Sequence, residues 1–211
     1  VLEQAGAFNY SKLSNAGARA TKAPYLVFLN NDVQILDSNW LKNLMRWAVK
    51  PGTGAVGAKL LFPNGKIQHA GVVLGMGGIA GHVYRRSHAA LPGYLQQLRT
   101  TREVLAVTGA CLATERKKFD AVGGFEEEHL PVDLNDIDLC LRLAERGWTN
   151  LWTPDATLIH VQSASRGIER DPFELYRRER SYFTRRWGEA LRDDPYFHPA
   201  FSLFSQTPML A

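Results

Sequence analysis

The sequence has little cysteine. Cys111 and Cys140 are the only two, far apart and without a CxxC spacing. That excludes a cysteine zinc site and a disulfide framework, and it fits a reducing compartment. No apolar run reaches the roughly 18 residues of a membrane-spanning helix. The start, Val1-Leu2-Glu3-Gln4, has no methionine and no basic or apolar segment of signal-peptide type. Internal repeats and low-complexity stretches are missing too. Lysine and arginine are not clustered: 25 of them against 21 acidic residues leave a net charge of +4. Without a basic run interleaved with aromatics, nucleic acid is not an expected partner. A phosphate-bearing small substrate or an anionic membrane surface suits the mild excess better.

What is present is an ordinary globular composition, 45% hydrophobic and 22% charged, in a length that supports one domain with a sizeable core. Residues 9–22 read as a polar loop entering a short helix. Residues 25–29 form a continuously apolar strand that ends abruptly in Asn30-Asn31-Asp32. A helix follows over 38–49, with Leu41, Leu44, Met45 and Ala48 on one face and Asp37 or Ser38 as cap. Strands are expected at 55–62 and 67–74, then a flexible glycine-rich loop at 75–81. Residues 82–102 carry no clear pattern. A strand at 105–113, helices at 115–122 and 135–145, short strands at 148–152 and 156–161, and an amphipathic helix at 172–187 complete the chain. The alternation predicts an α/β architecture with a largely parallel sheet.

Four constellations carry chemistry. Asn30-Asn31-Asp32 stands at a strand's carboxyl end, where open α/β sheets bind ligands. A carboxylate and an amide there can ligate Mg²⁺ or Mn²⁺, or they form a plain polar turn. Asp136 and Asp138 sit in the first turn of the 135–145 helix. They are either N-terminal capping chemistry, with Asp138–Arg142 as an i,i+4 pair, or they include a general base. Ile137, Cys140, Leu141 and Ala144 mark the buried face. Asp136 flanks it at the helix entry and Asp138 points away, so Asp136 is the better base. His160, at a strand end, is either a metal ligand or a hydrogen-bonded structural residue. Arg166 is either a diphosphate contact or a surface arginine. Gly109 and Ala110 either let a ligand approach the backbone or pack tightly. The helix at 172–187 carries Phe173, Tyr176, Phe183 and Trp187 near one face and Arg177, Arg178, Arg185 and Arg186 opposite. It reads as a core-docking helix with a solvated basic side, or as a peripheral membrane contact.

The ordered set of segments resembles glycosyltransferase family 2, with the GT-A fold. The segments are Phe8-Asn9-Tyr10-Ser11, Leu26-Val27-Phe28-Leu29-Asn30-Asn31-Asp32, Gly57-Ala58-Lys59-Leu60, Ile67-Gln68-His69-Ala70-Gly71, Thr108-Gly109-Ala110-Cys111, Val122-Gly123-Gly124-Phe125, Asn135-Asp136-Ile137-Asp138 and His160. Any one of them is weak, but their order and spacing are specific. The nearest members look like rhamnosyltransferase-like enzymes of bacterial surface-polysaccharide assembly.

The resemblance implies a mixed sheet flanked by helices and a metal-dependent, inverting transfer from a nucleoside-diphosphate sugar to a glycan or lipid-linked acceptor. It assigns Asp136 as base and Asp32 and His160 as ligands of Mg²⁺ or Mn²⁺. Asn30, Asn31, Asp32 and Arg166 fall on the donor side, and Gly109, Ala110 and Asn135 on the acceptor side. Asn30 stands where many members carry Asp, and Asn135 where many carry Glu. The resemblance also implies that the chain, a single domain over 1–211 with 168–211 as C-terminal helical extension, begins inside the family pattern and lacks the N-terminal nucleotide-binding β-α-β unit. Partial folding, association with another copy or inactivity is the expectation that follows. The expected location is the cytoplasm, with the inner membrane face as the peripheral alternative. The competing class is a non-catalytic module that binds glycan or a partner.

Overall fold

The computed structural model describes residues 6–161 and 172–211. Its elements are α1 (Tyr10–Arg19), β1 (Tyr25–Leu29), β2 (Val33–Ile35), α2 (Trp40–Ala48), β3 (Thr53–Leu61), β4 (Ile67–His69), β5 (Val72–Leu74), β6 (Ala80–His82), β7 (Arg102–Val104), β8 (Cys111–Glu115), α3 (Arg116–Ala121), α4 (Asn135–Glu145), β9 (Thr149–His160) and α5 (Pro172–Trp187). The main sheet runs β1-β8-β3-β9-β2, with β4 added on β3 and β7 on β9.

This sheet is mixed, not largely parallel. Among its pairings only β3 with β9 is parallel. The strand–helix alternation did mark a parallel set, because β1, β3 and β9 all run the same way. The reversal comes from β8, which enters antiparallel between β1 and β3 after the long excursion over 62–110. The mixed sheet with flanking helices that the resemblance implied is what forms.

β3 is buried along nearly its whole length, as a central strand covered on both faces must be. On one face α2 packs Leu44 and Ala48 against Val56, Ala58, Leu60, Ala113 and Leu158. On the other, a larger core joins Leu26, Phe28, Ala55, Leu112, Phe119, Phe125, Leu139, Leu143 and Trp152. Each fully buried leucine here contributes roughly 1.5–3 kcal/mol.

Several local expectations change. Leu41 of α2 is exposed rather than packed, and neither Asp37 nor Ser38 caps the helix: Asp37 Oδ1 accepts from the Asn39 N–H instead. The single strand expected at 67–74 is broken by Gly71, whose φ of +96° suits glycine. The glycine-rich 75–81 stretch is not a loose loop. It folds as a 3-10 turn at Met76–Gly78 and then β6, which pairs with β5 in a second small sheet. The strand expected at 105–113 is regular only from Cys111 onward. The two strands expected at 148–152 and 156–161 are one, β9, and the break survives as a register shift opposite Ala58 and Lys59.

That leaves 105–110 as a crossing segment laid over β3. A Cβ on Gly57 would stand 2.5 Å from the Val107 Cβ, so only glycine permits this approach. The buried Asn150 amide pins the same segment. Its Oδ1 accepts from the Ala55 N–H, and its Nδ2 donates to the Leu105 and Cys140 carbonyls. A buried amide satisfied this way fixes geometry instead of costing stability.

Candidate active site

The carboxyl ends of β1 and β9 meet at one corner. β2 pairs with β9 so that Val33 faces His160, and the Val161 N–H donates to the Asp32 carbonyl. The side chains follow the backbone: His160 Nε2 lies 3.0 Å from Asp32 Oδ1, with both groups about one-tenth exposed. Asn30 Nδ2 lies 3.3 Å from the same imidazole nitrogen. Asn31 is exposed.

Gln68 of β4 completes the corner, and sequence reasoning gave it no role. Its Nε2 donates to the His160 carbonyl, which fixes which end of the amide is oxygen. The Oε1 therefore accepts from His160 Nδ1 at 2.7 Å. With the proton held on Nδ1, the lone pair of a neutral His160 sits on Nε2 and faces the carboxylate. This is the support metal-bound histidines have around them. The available signal was a glutamine inside an otherwise apolar strand.

The donor set suits a hard or borderline divalent cation. Two ligands at about 2.1 Å and at right angles around such an ion stand about 3.0 Å apart, which matches Asp32 Oδ1 and His160 Nε2. Among the described residues no group of three or more His, Cys, Asp or Glu side chains gathers at one point. A cation here would take its other ligands from phosphate oxygens and water, as Mg²⁺ and Mn²⁺ commonly do. Arg166 and the segment around it lie outside the described residues.

The Asn30 N–H donates to the Ala110 carbonyl, so the corner is tied directly to the crossing segment that holds Asp136. Asp136 Oδ2 accepts from the Gly109 N–H at 2.8 Å, and Oδ1 from the Ile137 N–H at 2.8 Å. Burial raises the Asp136 pKa above the ordinary carboxylate value; these two N–H groups and the Thr108 hydroxyl act against the rise. A raised pKa moves a carboxylate toward what a general base needs. Tyr10 closes the far side, its hydroxyl donating to the Gly109 carbonyl at 2.8 Å. Burial first, and then Asp136, hold that phenol protonated to higher pH.

Asp138 does not point away from the core. It is fully buried, held by Arg142 at 2.7 Å and by the Trp187 indole N–H at 3.0 Å. The i,i+4 pair is present, and Asp138 is spoken for structurally. Asn135 is also buried, and its Nδ2 turns back to the Val132 carbonyl. Gly109 has both backbone polar groups engaged internally, so among the expected acceptor-side residues it acts first as the anchor of Asp136.

Two elements set the loop that leads into α4. From α1, Asn9, Ser11 and Asn15 bond the backbone of Glu127, Leu130 and Phe125. The polar 9–15 stretch is thus a clamp rather than a loop. From α5, Glu179 is 1% exposed and accepts from the Val132 and Asp133 N–H groups at 2.7 and 3.0 Å. Phe183 and Trp187 of α5 are buried, while Phe173 and Tyr176 are exposed. The apolar face of this helix is therefore split between docking and solvent. Among the described residues no helix is long and apolar enough to cross a membrane.

Glu179→Ala strips two part-buried N–H groups of their acceptor. We expect a loss of about 3 kcal/mol in stability, measured by denaturant unfolding. A loss below about 0.5 kcal/mol would show that water replaces the carboxylate.

A strand-end carboxylate–imidazole pair and a half-buried carboxylate are thus tied together on one mixed α/β sheet. Residues 2–185 match the family described as "Glycosyltransferase like family", and the chain belongs to it. It is 45% identical over 208 residues to the uncharacterized protein y4gI of Sinorhizobium fredii, covering 96% of this chain and 23% of that protein. It is 40% identical over 197 residues to the O-antigen biosynthesis protein RfbC of Myxococcus xanthus, covering 93% and 15%. With the N-acetylglucosaminyl-diphospho-decaprenol L-rhamnosyltransferase of Mycobacterium tuberculosis it shares 30% identity over 134 residues, 60% of this chain and 42% of that protein. The chain thus spans less than a quarter of the first two relatives. Among solved structures, GalNAc-T7 with UDP, GalNAc and Mn²⁺ superposes with a TM-score of 0.61 at 15% identity, over 87% of this chain and 38% of that one. The mannosyltransferase PcManGT of Pyrobaculum calidifontis, in complex with GDP-Man and Mn²⁺, gives 0.51 at 16%, over 90% and 45%. These likenesses place the fold among GT-A glycosyltransferases.

Proposed function

We propose that this chain carries the cation–diphosphate corner and the base of a glycosyltransferase. The enzyme would move a glycosyl group from a nucleoside-diphosphate sugar to an acceptor hydroxyl in surface-polysaccharide assembly, with a divalent cation and with inversion. The observation that carries the reading is the Asp32–His160 pair, 3.0 Å apart with His160 oriented by Gln68, joined through Asn30 and Ala110 to the segment that holds Asp136. The names of the relatives support it: one assembles O-antigen and one is a rhamnosyltransferase acting on a lipid-linked diphosphate. The GT-A neighbours hold Mn²⁺ with a nucleotide or nucleotide sugar.

Asp32 and His160 would hold the cation, with Asn30 beside the diphosphate. The ion, Mg²⁺ or Mn²⁺, would supply charge stabilisation for the departing diphosphate. Asp136 takes the proton of the acceptor hydroxyl. That oxygen bonds to the anomeric carbon while the carbon–oxygen bond to the diphosphate breaks, and its electron pair leaves with the phosphate. Attack from the face opposite the leaving group inverts the centre. Gly109 holds Asp136 through its N–H, Ala110 ties that segment to Asn30, and Asn135 shapes the loop behind Asp136. The acceptor is a glycan or a lipid-linked saccharide, the latter met at the inner membrane face.

Calorimetric screening of nucleoside-diphosphate sugars against the full-length protein tests this. One donor is expected to bind with Mn²⁺ and to lose most of its affinity with EDTA. Binding indifferent to EDTA removes the metal from the reading, and no binding to any donor removes the reading itself.

A further inference from the structure

Beside the corner lies a pair of histidines that the proposed mechanism leaves unused. His69 of β4, the residue after Gln68, is fully buried. Its Nδ1 stands 2.8 Å from the Nδ1 of His82 on β6, with the rings edge to face. The crossing segment touches the other side of His69, where the Thr108 N–H donates to Nε2 over a long 3.5 Å.

These contacts favour one arrangement of the protons. A backbone N–H can only donate, so His69 Nε2 carries a lone pair and its proton is on Nδ1. His69 Nδ1–H then donates to His82 Nδ1, which must accept. The proton of neutral His82 is therefore on Nε2. The opposite polarity would set two N–H groups against each other at Thr108, and a second proton would set two against each other between the rings. The geometry thus keeps the pair neutral. Burial, the facing charges of Arg102 and Arg85, and His160 act the same way, with the His82 pKa lowered to about 4.

The outer end of this chain is open. His82 is half-buried, and among the described residues no acceptor sits on its Nε2. Both rings lie within electrostatic reach of His160. A neutral imidazole whose proton is forced outward is a preorganised donor; it cannot turn over without breaking the bonds to His69 and Thr108.

Resting on the glycosyl-transfer reading, we propose that His82 is a ligand-binding residue, presenting a fixed Nε2–H to a hydroxyl or phosphate oxygen of a substrate bound beside the Asp32–His160 corner. His69 is its positioning residue. The chain Thr108–His69–His82 would also link the occupied ligand site to the segment that carries Gly109, and through it to Asp136.

The test compares two variants in the full-length enzyme. His82→Asn keeps an acceptor for His69 Nδ1–H and loses the outer donor. His82→Gln places an amide N–H near the position of Nε2. His82→Asn is expected to raise KM roughly tenfold for the substrate that His82 contacts, with kcat within about threefold, and His82→Gln, which returns the outer N–H but not the acceptor for His69, to restore part of it. A rise in donor KM assigns the contact to the nucleotide sugar, and a rise in acceptor KM assigns it to the acceptor. Nitrogen-15 spectra of the wild type provide a check independent of folding by the variants: His82 should be protonated on Nε2 and His69 on Nδ1. Unchanged KM values for both substrates in an active enzyme, or a His82 proton found on Nδ1, overturn the proposal and leave the proposed function standing. A wild-type protein that transfers from no donor overturns both.

Discussion

Replacing Asp136 by asparagine is expected to lower the glycosyl-transfer rate of the full-length protein by roughly 10²–10⁴-fold, the usual worth of a positioned general base. The substitution is nearly isosteric, but it is not neutral for the local bonds. Asp136 accepts two N–H groups, one on each oxygen, from Gly109 and Ile137. An asparagine has one oxygen and can keep one of them. Kept toward Gly109, it preserves the tie to the crossing segment and gives up the bond to its own neighbour, at a cost of about 1 kcal/mol. The fold should therefore survive while the base is lost.

The pH profile gives a second signature. A base works deprotonated, and burial raises the Asp136 pKa above the ordinary carboxylate value. Activity should fall as pH drops through that raised pKa, so the acid limb of kcat/KM should lie above the usual carboxylate range. An Asp136→Asn variant with near-normal turnover would reduce Asp136 to the anchor of Gly109. The nucleophilic proton would then need another acceptor.

What the sequence disclosed, and what it hid, follows from the range of the interactions. The apolar run of β1 with its polar end, and the periodic pattern of α4, are local signals, and both elements formed where expected. The direction of β8 is not local. It depends on how the chain returns from the 62–110 excursion, and an apolar stretch looks the same whichever way it enters a sheet. Asp138 misled for a related reason. Helical periodicity placed it opposite the face marked by Ile137 and Cys140, but α4 is buried on more than one side, because α5 docks Phe183 and Trp187 across it. No window of sequence around Asp138 contains the Trp187 indole that faces it. The roles proposed for Gln68 and His82 were invisible for the same cause, each resting on a partner on another strand. The resemblance supplied the long-range order that propensity could not. It brought Asp32, Asp136 and His160 to one proposal, and the coordinates give that proposal distances.

Removing Asp32 should have the largest effect on cation dependence. In Asp32→Ala the corner loses the one carboxylate that, among the described residues, faces His160 Nε2, and the proposed cation would keep His160. Hard divalent ions bind chiefly through charged oxygen, so the carboxylate contributes more than the imidazole. Transfer should fall to background at any Mn²⁺ concentration that saturates the wild type. His160→Ala should weaken Mn²⁺ binding strongly yet leave some activity at high Mn²⁺. Gln68→Leu, which removes the partner of His160 Nδ1 and touches no cation, should cost roughly 10–100-fold in metal affinity. Its deficit should be recovered by added Mn²⁺, because the ligands themselves are intact. The graded series can be read by titrating Mn²⁺ against initial rate. Wild-type cation dependence in Asp32→Ala would show that the 3.0 Å pair is an ordinary surface-lining ion pair. The cation site would then have to be sought elsewhere. A Gln68→Leu deficit that excess Mn²⁺ does not recover would instead mean that β4 holds the strand end itself, through the bond from Gln68 Nε2 to the His160 carbonyl, rather than the imidazole alone.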